Sequence, residues 1–304
     1  MGHARGAVLD RAAHGRGLRG GPVHARFVRI ERVRRGTRAR RRRIAERAHL
    51  AHYGRSVRVS LLVTCLVDLF EPDTGVAAVK VLRAAGCDVD VPSGQTCCGQ
   101  PAWNSGFADE AAKVARTTLD ALSETDSEAI VVPAGSCAAM IRVFWPELFE
   151  VVGDHDAAER ARAVAARTRE LTEFLAERAL PPMHLAEARR VAYHHSCHML
   201  RELRGRDHPL GLLDRVEGCE TVDWSACERC CGFGGLFSMK LPEVSVAMAD
   251  DKLSSLAEAE PDLVVGADGS CLMHLRSRAS HEGTPIQTRH IAQVLAAAIE
   301  GREP

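Results

Sequence analysis

Aromatic residues are scarce in this sequence, at 4% of 304 residues, so its core must be mainly aliphatic. A hydrophobic content of 46% is enough to build such a core, and the length allows two ordinary domains. No apolar run approaches the roughly eighteen residues of a membrane-spanning helix. The first residues, MGHARGAVLD, lack the long apolar region of a secretory signal, so the cytoplasm is the expected compartment.

Signatures of nucleotide cofactors are also missing. No glycine-rich dinucleotide fingerprint follows a predicted strand, and no phosphate-binding loop with a lysine occurs. We therefore expect no flavin or nicotinamide site. If the chain binds a redox centre, one without a hydride carrier would normally pass single electrons and leave the organic chemistry to another subunit.

Charge is balanced over the whole chain but divided along it. Residues 1–56 hold 16 arginines, no lysine and three acids, a net charge of +13, whereas residues 57–304 carry −13. This basic leader has little apolar periodicity, so we expect a disordered tail or a mis-assigned start of translation. A nucleic-acid-binding arm and an organelle targeting peptide are the alternatives; few aromatic residues and a single serine, Ser56, speak against them.

Eleven cysteines are many for a chain without a secretory signal, and ten of them form two matching sets. Successive cysteines are 22, 10, 1 and 39 residues apart in the first set and 22, 11, 1 and 40 apart in the second. We therefore predict a duplication, with one repeat over residues 57–185 and another over residues 186–304. The sets are Cys65, Cys87, Cys97, Cys98 and Cys137, then Cys197, Cys219, Cys230, Cys231 and Cys271.

Each half alternates short apolar stretches with helical segments. VRVSLLVT and RVAYHHS precede the first cysteine of each set, and AIVVP and DLVVG precede the last, which predicts strands. Residues 107–122 and 241–259 are predicted helices, and earlier helical segments over residues 74–86 and 208–218 are expected to end in glycine. The fold class is therefore α/β, with two tandem duplicated halves that each contain a parallel sheet. Cysteines placed at the carboxyl ends of parallel strands should converge on one site.

The Cys-Cys-Gly loops favour iron–sulfur clusters. Adjacent thiolates in a turn can reach neighbouring irons, and the following glycine, Gly99 or Gly232, lets the backbone bend close to a cluster. In the second loop, Gly234 and Gly235 could direct backbone N–H groups to cluster sulfurs.

Zinc binding and thiol–disulfide chemistry stay open as alternatives. Structural zinc sites usually use two Cys-x-x-Cys pairs, and the one clear pair here is Cys227 with Cys230. Cys227 is expected to be a spare residue, and Cys87 and Cys219 to pack as small apolar side chains. His290 should cap its helix or lie exposed. Side chains that could either pack or contact a cluster are His194, His195, His198, His274, Trp103 and Asn104.

The cysteine pattern resembles the CCG, or cysteine-rich, domain family. That domain occurs as a tandem pair in heterodisulfide reductases and in iron–sulfur subunits of complexes that oxidise 2-hydroxy acids. Phrases such as LLVTCLVDLFEPDTGVAAVKVLRAAGCDVDVPSGQTCCGQPAWNSG and CCGFGGLFSMK are most similar to its lactate-utilization members, over about residues 57–299.

The resemblance implies a cytoplasmic electron-transfer component of a complex that oxidises L-lactate to pyruvate. Its implied partners are a ferredoxin-like iron–sulfur subunit and a small third subunit. Met140 and His274 stand where heterodisulfide reductases have a final cysteine, so four cysteines per half are expected to hold one 4Fe–4S cluster. The expected ligands are Cys65, Cys97, Cys98 and Cys137, then Cys197, Cys230, Cys231 and Cys271.

Overall fold

The structure, a computed structural model, describes residues 56–304 and contains two parallel four-stranded sheets. The predictions for the basic leader fall on residues outside that range, apart from Ser56. The strand orders, β2-β1-β3-β4 and β6-β5-β7-β8, are the same in the two halves, which confirms the duplicated α/β fold. The strands are β1 Val57–Leu61, β2 Cys87–Asp90, β3 Ala129–Val132, β4 Thr168–Glu170, β5 Met183–His194, β6 Val216–Val222, β7 Leu263–Gly266 and β8 Thr288–His290.

Helices connect the strands in the same order in both halves, and the segments predicted over residues 107–122 and 241–259 are helical. The first half adds two helices, α6 and α7, between its third and fourth strands. No helix within residues 56–304 is long and apolar enough to cross a membrane. The helices are α1 Cys65–Phe70, α2 Pro72–Ala84, α3 Gln100–Trp103, α4 Ala108–Ser123, α5 Gly135–Ala139 followed by a π-helical turn Met140–Phe144, α6 Trp145–Val151, α7 His155–Arg167, α8 Leu171–Ala176, α9 Cys197–Arg201, α10 Asp207–Leu213, α11 Leu236–Lys240, α12 Pro242–Ala259, α13 Gly269–His281 and α14 Ile291–Glu300.

The two halves share one aliphatic core. Alternate residues of the central strands, such as Val59 in β1 and Val191 in β5, belong to a single buried cluster together with Val81 of α2 and Leu295 of α14. Residues of the opposite parity, such as Ile130 in β3, face a second core under α4, α6 and α7. The central strands β3 and β7 are therefore buried on both faces, as is usual for parallel sheets, and the shared core holds the halves together.

The prediction that both early helical segments end in glycine is wrong for the second half. α2 ends two residues before Gly86, but α10 ends at Leu213, and Gly218 lies inside β6 with φ of +83°. The cause is the length of β5. Its first residue, Met183, already pairs with Val216, so β6 begins before Gly218 and the helix has to end earlier. A register shift after His184 accommodates the extra strand length.

The fourth strand of each half ends on a side chain that caps the next helix. The Glu170 carboxylate accepts from the backbone N–H groups of Thr172 and Glu173, and the His290 ring accepts from that of Ala292 at 3.1 Å. His290 thus caps its helix, as expected, but is buried rather than exposed. Burial raises the pKa of Glu170 to about 7 and lowers that of His290 to about 4.

Glu170→Gln should change how stability depends on pH. Between the ordinary pKa of 4.5 and the folded value of about 7, the folded chain holds a proton that the unfolded chain has lost. The contribution of Glu170 to stability therefore falls as pH rises through this window. Glutamine removes the carboxyl but keeps an oxygen for the two N–H groups. We expect the free energy of unfolding of the variant to gain on the wild type by up to about 3 kcal/mol between pH of about 5 and about 7.

Denaturant unfolding of the full chain at several pH values measures this gain. Glu177→Gln, at the exposed end of α8, is the control and should show a constant difference from the wild type. A constant difference for Glu170→Gln as well would mean that the carboxyl is not held in a desolvated site.

Candidate metal centre

A single cavity of about 170 Å³ is lined by all eight cysteines expected to be ligands. It opens beyond the carboxyl ends of the central strands, where both halves contribute residues. The structure therefore brings these thiols together, while their role as metal ligands stays a prediction. The first quartet is Cys65, Cys97, Cys98 and Cys137, and the second quartet is Cys197, Cys230, Cys231 and Cys271.

Helix starts present the outer members of each quartet. Cys65 and Cys197 are the first residues of α1 and α9, which follow the first strand of each half. Cys137 and Cys271 are the third residues of α5 and α13, which follow the third strand. Each quartet thus takes two members from helix starts that follow the first and third strands of its half.

The Cys-Cys-Gly loops present the inner members, and each loop lies tightly on the helix that follows. Gly99 and Gly232 have φ of +84° and +90°. A Cβ atom there would lie 2.7 Å from the carbonyl oxygen of Ala111 in α4 and 2.6 Å from that of Ser245 in α12. The glycine is thus required by contact with a helix backbone, a reason different from the expected approach to a cluster.

The two further glycines of the second loop lie at the cavity between the halves. Gly234 and Gly235 both line it and both have positive φ, and a Cβ on Gly235 would lie 3.3 Å from Cβ of Pro101 in the first half. Their predicted role as N–H donors to sulfur stays a prediction.

The first quartet forms a continuous set of contacting thiols. The Cys98 thiol donates to the Cys137 sulfur at 3.3 Å, and the Cys97 sulfur interacts with the thiols of Cys65 and Cys98. These thiols lower the pKa of Cys97 to about 3. Cys97 raises the pKa of Cys65, and Cys137 followed by Cys97 raises that of Cys98. The indole N–H of Trp145 donates to the carbonyl oxygen of Cys98 at 2.8 Å and fixes the loop. The quartet thus offers four neighbouring sulfurs to a metal or cluster.

The second quartet repeats this arrangement and adds an imidazole. Cys230 accepts from the thiols of Cys197 and Cys231, which lowers its pKa to about 2. A ring nitrogen of His194 and the sulfurs of Cys231 and Cys271 all lie within 4.8 Å of one another, the single such group found in residues 56–304. The donor set of each half therefore fits a metal or an iron–sulfur cluster.

Asp268 joins the halves across the cavity, and sequence reasoning missed it. Its carboxylate accepts from the backbone N–H of Ser136 at 2.8 Å and from the hydroxyl of Ser270 at 2.7 Å. Nearby, the N–H of Gly135 donates to the carbonyl of Ala267 at 3.3 Å. The available signal was the contrast between AGSC in the first repeat and DGSC in the second.

The remaining cysteines lie away from the cavity. Cys87 is buried in the shared core and Cys219 packs against it, in agreement with the expectation of packing. Cys227 packs beside Trp224 and does not line the cavity.

Of the other candidates, Asn104 and His198 line the cavity, whereas Trp103 packs against Phe144. His195 is buried, which lowers its pKa to about 4. The two residues that stand in place of a final cysteine, Met140 and His274, do not line the cavity. Met140 is buried in the outer core, and His274 lies 3.3 Å from the Ser245 hydroxyl.

A fold of two parallel α/β halves that bring four cysteines each to one cavity defines a tandem cysteine-rich protein. The CCG family, described as a cysteine-rich domain, matches residues 59–142 and 191–276. The chain belongs to this family, in its lactate utilization protein A branch.

Curated relatives match most of the chain and nearly all of their own length. Lactate utilization protein A of Geobacillus kaustophilus (strain HTA426) is 43% identical over 242 residues, which is 79% of this chain and 99% of that protein. The protein of the same name from Geobacillus thermodenitrificans (strain NG80-2) is 42% identical over 79% of this chain and 98% of its own. Among solved structures, glutamate racemase isoform RacE1 from Bacillus anthracis covers 81% of this chain and 80% of its own at 10% identity. Its TM-score of 0.30 carries no argument.

Proposed function

We propose that this chain is an iron–sulfur electron-transfer subunit of a cytoplasmic complex that oxidises L-lactate to pyruvate. The observation that carries the proposal is the convergence of two thiol quartets on one cavity in a relative of lactate utilization proteins A. Each quartet would hold one 4Fe–4S cluster on its four sulfurs. Such a cluster, when bound, accepts and releases single electrons.

The residues around each quartet are suited to this cofactor. Four thiols that already contact one another supply the usual ligand set of a 4Fe–4S cluster. The glycines after the paired cysteines hold both loops against α4 and α12. Because Met140 and His274 lie outside the cavity, a four-cysteine cluster fits better than a five-cysteine one.

The cavity supports electron transfer rather than binding of the hydroxy acid. Lactate is an anion, and proteins usually hold such a carboxylate with arginine or lysine. No arginine or lysine is among the described residues that line the cavity, and its ionisable side chains other than cysteine are His198 and Asp268. We therefore place lactate oxidation in a partner. The proposed partners are a ferredoxin-like iron–sulfur subunit and a small third subunit.

Reduction by lactate tests the proposal. The purified chain alone, kept anaerobic, should show no change in its cluster absorbance or electron paramagnetic resonance when lactate is added. With the partner subunits present, lactate should reduce it. A double variant, Cys98→Ala with Cys231→Ala, is the control and should accept no electrons in the same mixture.

Three outcomes would contradict the proposal. Clusters that never change oxidation state during turnover would indicate a structural role. Reduction by lactate without partners would place the substrate site in this chain. Reduction by glycolate but not by lactate would identify another 2-hydroxy acid as the substrate.

A further inference from the structure

The two cluster sites differ in the charged and polar groups that surround them. We propose that the second quartet holds its cluster at a higher reduction potential than the first, so that an electron moves from the first-half cluster to the second-half one. This inference rests on the proposed function and adds a direction to it.

A buried cation lies beside the second quartet. Lys252, on α12, is 1% exposed, and its ammonium group donates to the backbone carbonyls of Ala226 and Arg229 and lies 4.6 Å from the ring centroid of Trp224. None of these partners is negatively charged. The groups that favour its charged form are thiols of the same half, first that of Cys231. Burial lowers its pKa to about 8, so it keeps its proton at neutral pH.

The first half has a neutral side chain at the equivalent place. Ala111 and Ser245 both lie under the glycine of a Cys-Cys-Gly loop, and Thr118 and Lys252 each follow seven residues later. The Thr118 hydroxyl accepts from the N–H of Thr96 at 2.9 Å and donates to the carbonyl of Cys97 at 3.3 Å. Thr118 and Lys252 thus both hold the segment that leads into the Cys-Cys-Gly loop, but only Lys252 carries a charge.

An imidazole forms the second difference. His194 precedes the first cysteine of its quartet by three residues, as Leu62 does in the first half. The His194 ring is 1% exposed, one of its nitrogens lies within 4.8 Å of the sulfurs of Cys231 and Cys271, and neither nitrogen has a hydrogen-bond partner. Its N–H is therefore free to donate toward sulfur, whereas Leu62 has nothing to donate.

Asp268 is the charge that opposes this order, and it acts on both sites. It belongs to the second half, but its carboxylate accepts from the N–H of Ser136, the residue before Cys137 of the first quartet. It lines the cavity shared by both quartets, and its charge disfavours the thiolate of Cys197 in the second quartet, so it lowers the potential there and acts against Lys252 and His194.

Lys252 and His194 both act in the direction of the proposed order. Reduction adds one negative charge to a cluster, and a nearby fixed cation or N–H donor stabilises the reduced state more than the oxidised state. In the exchange, the first-half cluster loses one electron and the second-half cluster gains it. No bond is made or broken, and no proton or further reactant is needed.

Two full-length variants measure the potentials separately. Cys97→Ala with Cys98→Ala keeps only the second quartet, and Cys230→Ala with Cys231→Ala keeps only the first. Anaerobic redox titration followed by electron paramagnetic resonance gives each midpoint. We expect the second-half cluster to be favoured at least tenfold in the one-electron equilibrium, a difference of about 59 mV or more.

Substitutions in the second-half-only variant identify the cause. His194→Leu introduces the residue that the first half has at this place, Leu62, and should lower the midpoint without loss of iron. His194→Gln keeps an N–H donor, so its midpoint should stay close to that of the parent variant. Lys252→Met should lower the midpoint by about 59 mV, which is a tenfold change in the same one-electron equilibrium. Lys240→Met removes an exposed cation of the same half and serves as the control, with no expected shift.

Equal midpoints, or a lower one for the second half, would overturn the proposed order. So would unchanged midpoints in His194→Leu and Lys252→Met with full iron content. If Lys252→Met does not fold, the His194 pair decides. A wild-type chain that binds no iron–sulfur cluster would reject the proposed function itself and this order with it, whereas two clusters of equal potential reject only the order.

Discussion

Replacing Cys98 with alanine will leave the chain with about half of the iron and sulfide of the wild type. Cys98 contacts Cys97 and Cys137 and is the innermost thiol of the first quartet, so its loss leaves three sulfurs where four are needed. Cys231→Ala should remove the other half in the same way. The double variant should bind neither. Iron and sulfide analysis after anaerobic purification measures each step.

The cysteines outside the cavity provide the matched controls. Cys87→Ala and Cys219→Ala also remove one buried or half-buried thiol each, yet neither lines the cavity, so both should keep the full iron content. Equal iron loss in all four single variants would mean that general unfolding, rather than ligation, causes it.

Zinc is the competing result of the same analysis. The site formed by His194, Cys231 and Cys271 has the nitrogen and sulfur ligands that zinc prefers. One zinc per chain without sulfide, lost in Cys231→Ala and kept in Cys98→Ala, would replace the two-cluster proposal with a structural zinc site in the second half.

The convergence of each quartet could be predicted from the sequence because it depends on local order. Cys65 and Cys137 each follow a short apolar stretch, and strands joined by helices place their carboxyl ends at one edge of a sheet. The same order of strands, helices and cysteines recurs in the second half.

The shared cavity could not be predicted, since it depends on how the halves pack. α2 of the first half and α14 of the second bury residues in one core, which turns the two sheet edges toward the same space. Contacts such as that between Asp268 and the N–H of Ser136 span more than a hundred residues and leave no periodic pattern. Lys252 lies on the buried face of α12 with Ser245 and Ala249, and only the structure shows which carbonyls it meets.

At Gly218 a local sequence rule and strand pairing predict different structures, and the structure follows the pairing. A glycine after an apolar helical segment usually marks a helix end, and Gly86 obeys this rule. In the second half, pairing between β5 and β6 begins upstream of Gly218, and the strand continues through it.

Gly99→Ala should lower the free energy of unfolding far more than Gly94→Ala, although both glycines have φ of +84°. A Cβ on Gly94 meets nothing within 4 Å, so this variant bears only the cost of a left-handed alanine, about 1 kcal/mol. A Cβ on Gly99 would lie 2.7 Å from the carbonyl oxygen of Ala111 and 3.3 Å from Cβ of Ala115. That carbonyl belongs to the backbone of α4 and cannot turn away, which adds about 1–3 kcal/mol.

The same contact should make the first-half cluster depend on Gly99. Moving the loop off α4 displaces Cys97 and Cys98, so Gly99→Ala should also lose part of its iron, while Gly94→Ala keeps all of it. Gly232→Ala should have the matching effect on the second half, where a Cβ would lie 2.6 Å from the carbonyl of Ser245. Denaturant unfolding and iron analysis of the three variants measure both effects. If Gly99→Ala matches Gly94→Ala in stability and iron, α4 yields to the added carbon, and the glycine of the loop is explained by its backbone conformation alone.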